Sequence, residues 1–134
     1  MTVSVVDTRF ASLMFQKRLE LASYEPHLTG TTVYISFQTV VEMRLGALNR
    51  SWGTERTEAL EAFLASLVLV EYTDRLGRCW ARIMHEARSV GKRLEAGDAR
   101  IAATALLLNA PLLTHDKDFS AEASPSITVV RYSV

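Results

Sequence analysis

The residues of greatest chemical promise in this chain are four carboxylates, Asp7, Glu42, Asp98 and Asp116. Asp7 directly follows a β-branched run at 2–6, and Asp116 stands two residues beyond an apolar segment at 111–114. Glu42 sits between Val41 and Met43 in an otherwise largely apolar helical pattern, and Asp98 opens the alanine-rich run 99–108. Acids from four distant segments that share one rim repel each other, and a bound cation answers that repulsion. Oxygen-only ligands suit Mg²⁺ or Mn²⁺, whereas zinc favours His or Cys; His27, His85 and His115 show no ligand spacing. A divalent ion held in this way activates water and offsets charge on a phosphodiester, so hydrolysis requires no protein nucleophile. Singly, each acid also has a structural explanation. Asp7 and Asp98 serve equally well as helix caps, Glu42 as a solvated helix edge, and Asp116 with Asp118 as turn residues before Phe119.

Bringing these acids together takes alternating strands and helices. The run 2–6 reads as a strand, followed by a helix over 9–23 with Phe10, Leu13, Met14, Leu21 and Ala22 as its apolar positions. After a loop at 24–30 comes a second strand at 32–35, then a helix capped by Ser36 whose apolar face is Val40, Val41, Leu45 and Leu48. Thr54 caps a third helix through Leu64, and 67–72 is a third strand. Leu76, Trp80, Ile83, Met84 and Ala87 recur at helical spacing over 73–90, and Gly91 suits the left-handed residue that ends a helix. The helix 99–108, ended near Asn109, is buried on most sides, and the segments 111–114 and 127–132 complete the set as strands. Five strands interleaved with helices make an α/β fold with a mainly parallel sheet covered on both faces. Ligands of such a sheet gather at the carboxyl ends of its strands, where strand order reverses, and Asp7 and Asp116 belong at that edge.

Composition narrows the functional classes. At 134 residues and 49% hydrophobic content, residues 1–134 are expected to form one domain with a real core. Cys79, the only cysteine, excludes an intrachain disulfide and reads as ordinary packing beside Trp80, which fits a cytoplasmic protein. No apolar run spans a bilayer, and the apolar opening 1–6 lacks a basic leader and the length of a signal peptide. Fifteen basic and fifteen acidic residues give zero net charge, so the molecule lacks the field of a nonspecific nucleic-acid binder. Between Asp74 and Arg93, however, Arg75, Arg78, Arg82, Arg88, Lys92 and Arg93 face only Asp74 and Glu86. That stripe is either an RNA-steering surface led by Arg75, Arg78 and Arg82 or a solvated helix face.

Four segments carry a family resemblance: Val5-Val6-Asp7-Thr8, the stretch from Ile35 to Ala47 that contains Glu42 and Arg44-Leu45-Gly46, Asp98-Ala99-Arg100-Ile101-Ala102-Ala103-Thr104-Ala105, and Leu113-Thr114-His115-Asp116-Lys117-Asp118-Phe119. In order and spacing they resemble the PIN-domain family, specifically its VapC-like toxins, and the Trp52-Gly53 pair strengthens the toxin subgroup. The resemblance implies a three-layer αβα fold, homodimerisation, a cognate antitoxin, and Mg²⁺- or Mn²⁺-dependent endonucleolytic cleavage of RNA, often tRNA or ribosomal RNA. It makes Asp7, Glu42, Asp98 and Asp116 the acidic quartet, with Asp7, Asp98 and Asp116 as metal ligands. Glu42 then positions or deprotonates water, and Thr114 is a supporting hydroxyl. One departure stands out: Arg9 occupies a place that is commonly Asn or Ser, and it either contacts phosphate or perturbs the site. Arg9 also argues against a haloacid-dehalogenase-type phosphatase, which needs an acid there. The rival from another class is a catalytically silent PIN-like module that docks RNA or protein through the basic stripe.

Overall fold

Five parallel strands form the sheet of the computed structural model, which describes residues 2–132: β1 (Thr2–Val6), β2 (Thr31–Ser36), β3 (Val68–Val70), β4 (Leu112–Leu113) and β5 (Val129–Val130). Met1, counted in the apolar opening run, lies outside the described residues. The strand order is β3-β2-β1-β4-β5, with every pairing parallel. The last three strands are shorter than their apolar segments because pairing, not hydropathy, sets their length. β4 meets β1 only through Val5–Leu112 and Val6–Leu113, and meets β5 only through Leu112–Val129 and Leu113–Val130.

Side chains alternate across a strand, so neighbouring residues serve opposite faces. Val6, Ile35 and Leu113 join one buried cluster with Phe10, Leu13, Met43 and Leu60. Val5 and Leu112 join a second with Leu76, Ile83 and Ile101. The first cluster packs helices α1 (Thr8–Phe15), α3 (Phe37–Asn49) and α4 (Thr54–Ala65) on one face; the second packs α5 (Asp74–Ser89) and α6 (Ala96–Leu108) on the other. The result is the three-layer αβα arrangement. Each large side chain so buried stabilises the fold by about 1.5–3 kcal/mol. No helix among the described residues is long and apolar enough to cross a membrane.

The helix expected over 9–23 divides. Lys17 adopts a left-handed conformation (φ 54°), and the Lys17 and Arg18 N–H groups donate to Met14 and Leu13 carbonyls, which closes α1 with a Schellman turn. A 3₁₀ segment (Leu19–Tyr24) takes up the rest of the expected helix, and the short helix α2 (Glu25–Leu28) stands where a loop was expected. This break drives Tyr24 fully inside, edge-on to Phe10 at 4.8 Å.

The apolar face assigned to α3 also changes. Val40 is buried, but Val41, Leu45 and Leu48 are exposed, and Thr39, Met43 and Ala47 take the inward positions instead. Thr39 is tolerated there because its hydroxyl lies 3.1 Å from the Thr8 hydroxyl, within hydrogen-bond distance. On α5, Leu76, Ile83 and Ala87 are buried as expected, whereas Met84 is partly exposed. Gly53, not Thr54, occupies the N-cap position of α4, and α6 begins at Ala96, three residues earlier than the alanine run.

Candidate active site

Strand order reverses beside β1: β2 lies on one side of it and β4 on the other. The crevice at the carboxyl ends of β1 and β4 is the topological switch point of this sheet, and Asp7 is the first residue beyond β1. Its backbone N–H donates to Leu113 O at 3.2 Å, and its Oδ1 accepts the Phe10 N–H at 2.8 Å, so Asp7 does cap α1. Capping leaves carboxylate capacity unused, since an ionised Asp accepts about four hydrogen bonds. Asp7 is 4% exposed, and its carboxyl is pushed up to about 6, first by burial, with Asp116 and Asp98 adding repulsion. The Thr114 hydroxyl and the Phe10 N–H act the other way, favouring the charged form.

Asp98 is not a cap. It is the third residue of α6, the N-cap position falls on Glu95, and no hydrogen bond engages the Asp98 carboxylate among the described residues. Burial pushes it up to about 6 as well, followed by repulsion from Asp116, Glu42 and Glu95. Asp116 does form the turn foreseen for it: Oδ1 accepts the Asp118 N–H at 2.9 Å. The Thr114 hydroxyl accepts the Asp116 N–H at 3.1 Å and is completely buried, so Thr114 serves the acids from beneath and is out of reach of a substrate.

Glu42, expected in apolar surroundings, is instead held by donors. Thr8 Oγ1 reaches Glu42 Oε1 at 3.2 Å and Gln38 Nε2 reaches it at 3.1 Å. Arg100 Nη1 in turn donates to Gln38 Oε1 at 2.9 Å, with its guanidinium 4.6 Å from the Trp80 ring. Gly97 stands where a Cβ would come within 3.1 Å of Gln38 Nε2, so α6 approaches this chain of polar groups closely. A second network lies behind Asp116. Buried Tyr24 donates to Thr114 O at 3.0 Å, lies 2.9 Å from His115 Nδ1, and accepts the Tyr132 N–H at 2.8 Å. Sequence reading missed Gln38, Arg100 and Tyr24. Only Gln38 carried a signal, its position one helical turn before Glu42.

The basic candidates are less uniform. Arg9 is exposed beside Thr8 on a cleft that Glu42 also lines. Arg78 is paired with Asp74 and Arg82 with Glu86, each one turn away on α5, whereas Arg75 has no carboxylate partner among the described residues. The stripe thus carries less free charge than its arginines suggest.

Asp7 beyond the end of β1, Glu42 of α3, Asp98 of α6 and Asp116 in the turn after β4 are therefore linked electrostatically, with Asp98 coupled to the other three. Among the described residues no three Asp, Glu, His or Cys side chains stand together closely enough to hold a metal ion by themselves. The donor set fits a hard cation that keeps several waters and takes only one or two carboxylates, as Mg²⁺ does. It does not fit zinc: His115 is engaged with Tyr24, and His27 with the Tyr132 hydroxyl.

Comparison with known proteins agrees with this fold. Over 109 residues the chain is 29% identical to ribonuclease VapC5 of Mycobacterium tuberculosis, covering 79% of this chain and 78% of that one. Ribonuclease VapC4 of the same organism is 29% identical over 119 residues, covering 84% and 87%. The crystal structure of VapBC-5, a member of the VapBC family of toxin–antitoxin systems from M. tuberculosis, superposes with a TM-score of 0.71 at 26% identity, covering 98% of this chain and 99% of that one. Residues 4–123 match the PIN domain profile, and with the acids placed at the switch point of the sheet this chain belongs to the PIN domain family.

Proposed function

We propose that this protein is a Mg²⁺- or Mn²⁺-dependent endoribonuclease that acts as the toxin of a toxin–antitoxin pair. The observation that carries the reading is that Asp7, which follows β1, and Asp116, in the turn after β4, lie at one edge of the sheet, with Asp98 placed to feel the charge of both and of Glu42. Asp7, Asp98 and Asp116 would hold the ion, one or two of them directly and the rest through bound water; its chemistry is to activate water for attack on the phosphodiester and to offset charge on the phosphoryl oxygens. Glu42 would receive the proton of that water or orient it, with its carboxylate fixed by Thr8 and Gln38. Thr114 would order Asp7 and Asp116 from below, and Arg9, exposed on the cleft that Glu42 also lines, would meet a phosphate. Arg75 supplies further attraction from α5, with Arg78 and Arg82 contributing less because each is paired.

The ribonuclease names of the two relatives support RNA as substrate, and the VapBC-5 complex supports a cognate antitoxin as partner. A homodimer is part of the same reading. Phe37, Val41, Leu45 and Leu48 lie exposed at helical spacing on α3, apolar surface of the kind a twofold interface covers. The test is cleavage of structured RNA by purified protein with and without Mn²⁺. Metal-dependent cleavage that Asp98→Asn abolishes is expected. Cleavage that persists in that variant, or none by the parent with either metal, would leave a silent binding module.

A further inference from the structure

A cleft of ≈ 860 Å³ runs between α1, α3 and α4, and of the four acids it is Glu42, with its partner Thr8, that lines it. Arg9, Arg18, Arg50 and Arg56 also line it. Arg18 is held by Glu20 at 3.3 Å, but Arg9, Arg50 and Arg56 have no carboxylate partner among the described residues. In a chain of zero net charge, three such guanidiniums on one cleft are a local positive field that a polyanion would satisfy.

We propose that this cleft is the path by which an RNA strand reaches the acids, held through its phosphates by Arg9, Arg50 and Arg56. The inference rests on the ribonuclease reading and extends it to the route of the substrate. Local structure prepares the arginines for this. A Cβ on Gly46 would stand 2.9 Å from Arg50 Nη1, so glycine at that position lets the Arg50 guanidinium lie against α3. Arg56 sits 4.0 Å over the Trp52 ring, against which Phe15 also stacks. A guanidinium stacked on an aromatic keeps its N–H edges free for a phosphate and loses little freedom on binding. Because Trp52 is engaged by Arg56 and Phe15, no free aromatic platform is offered there to a base. The cleft therefore reads backbone charge, and sequence selection must come from elsewhere.

Binding is tested apart from catalysis by placing every variant in the Asp98→Asn background and titrating a short fluorescein-labelled single-stranded RNA over a salt series without divalent metal. Arg50→Gln with Arg56→Gln should weaken binding at every salt concentration. It should also make the plot of log affinity against log salt shallower by about 1.4, at about 0.7 for each single-strand phosphate that is no longer neutralised. Arg50→Lys with Arg56→Lys, which keeps the charge, should retain most of the slope. Unchanged affinity and slope in the Gln pair would overturn the proposal and leave the cleft to a protein segment. So would a weakening confined to Arg75→Gln, Arg78→Gln and Arg82→Gln on α5, or an equal weakening in the Lys pair, which would mark a packing defect. Cleavage by the parent protein with Mn²⁺ is scored separately, so failure of the ribonuclease reading and failure of the RNA path remain distinct results.

Discussion

Gln38 donates from Nε2 to Glu42 Oε1 across 3.1 Å, one helical turn along α3. Because Arg100 donates to the other end of the same amide, the orientation of Gln38 is determined by its two neighbours, and Glu42 inherits that orientation. Gln38→Leu keeps the helix but removes the donor, so Glu42 keeps only Thr8 of its two fixed partners. We expect a fall in kcat for RNA cleavage of roughly 10–100-fold, the scale of a misplaced catalytic group, with KM little changed. A change in KM alone would mean that Gln38 serves binding and does not position Glu42.

Asp98 repels other acids without offsetting that repulsion through a cap. Asp98→Asn should therefore leave the metal-free fold as stable as the parent or slightly firmer. Mn²⁺ at about a hundredfold excess over Kd should stabilise the parent by about 2.7 kcal/mol and the variant far less. Thermal melts of both proteins with and without Mn²⁺ decide this, and a full metal-induced shift in the variant would remove Asp98 from the metal site.

Proton linkage gives a sign that can be checked. Asp7 and Asp98 are raised from 3.8 to about 6 in the fold, so between those values the folded protein holds more protons than the unfolded chain. Their contribution to the stability of the metal-free protein is complete below the unfolded value and is lost as pH rises toward and through about 6. Metal competes with those protons, so the Mn²⁺-induced shift in Tm should grow over the same window. Melts across roughly pH 4–7 with and without Mn²⁺ test both halves, and a metal shift independent of pH would contradict them.

Tyr24→Phe removes a buried hydroxyl that serves Thr114 O and the Tyr132 N–H together. Leaving those backbone groups without a partner should cost about 1–3 kcal/mol. It should also weaken Mn²⁺ binding, because the turn carrying Asp116 begins at Thr114. Denaturant midpoints at constant m, with and without metal, measure both effects. A midpoint equal to the parent's would show that this network is dispensable.

Val41→Glu together with Leu48→Glu places charge on the exposed face of α3 without touching the sheet. If that face covers a second copy, light scattering at micromolar concentration should change from dimer to monomer while the far-ultraviolet circular dichroism is retained. A parent protein that is already monomeric, or a variant that stays dimeric, would place the α3 face outside any dimer interface.

Local sequence pattern marked out the sheet and the strand-end positions of Asp7 and Asp116: a β-branched run followed at once by Asp7, and an apolar segment followed by Asp116. It failed where tertiary context decided. Nothing in Gln16-Lys17-Arg18 announces a left-handed residue, so the break after α1 and the burial of Tyr24 were invisible. Val41, Leu45 and Leu48 read as core because periodicity records which residues share a face, not whether that face has a neighbour within the chain. Cap and ligand could not be separated for Asp98 until the start of α6 was known, since a shift of three residues turns an N-cap into a position inside the first turn.

The placement of β1 between β2 and β4 has a consequence for the order of assembly. Asp7 precedes its partners along the chain: its N–H awaits Leu113 O, and Asp116, whose charge it feels, is more than a hundred residues further on. Closure of that long loop must precede any benefit from the pairing. A chain that has not yet added β4 holds Asp7, Glu42 and Asp98 but no crevice, so these acids gain their common edge only when β4 joins the sheet beside β1.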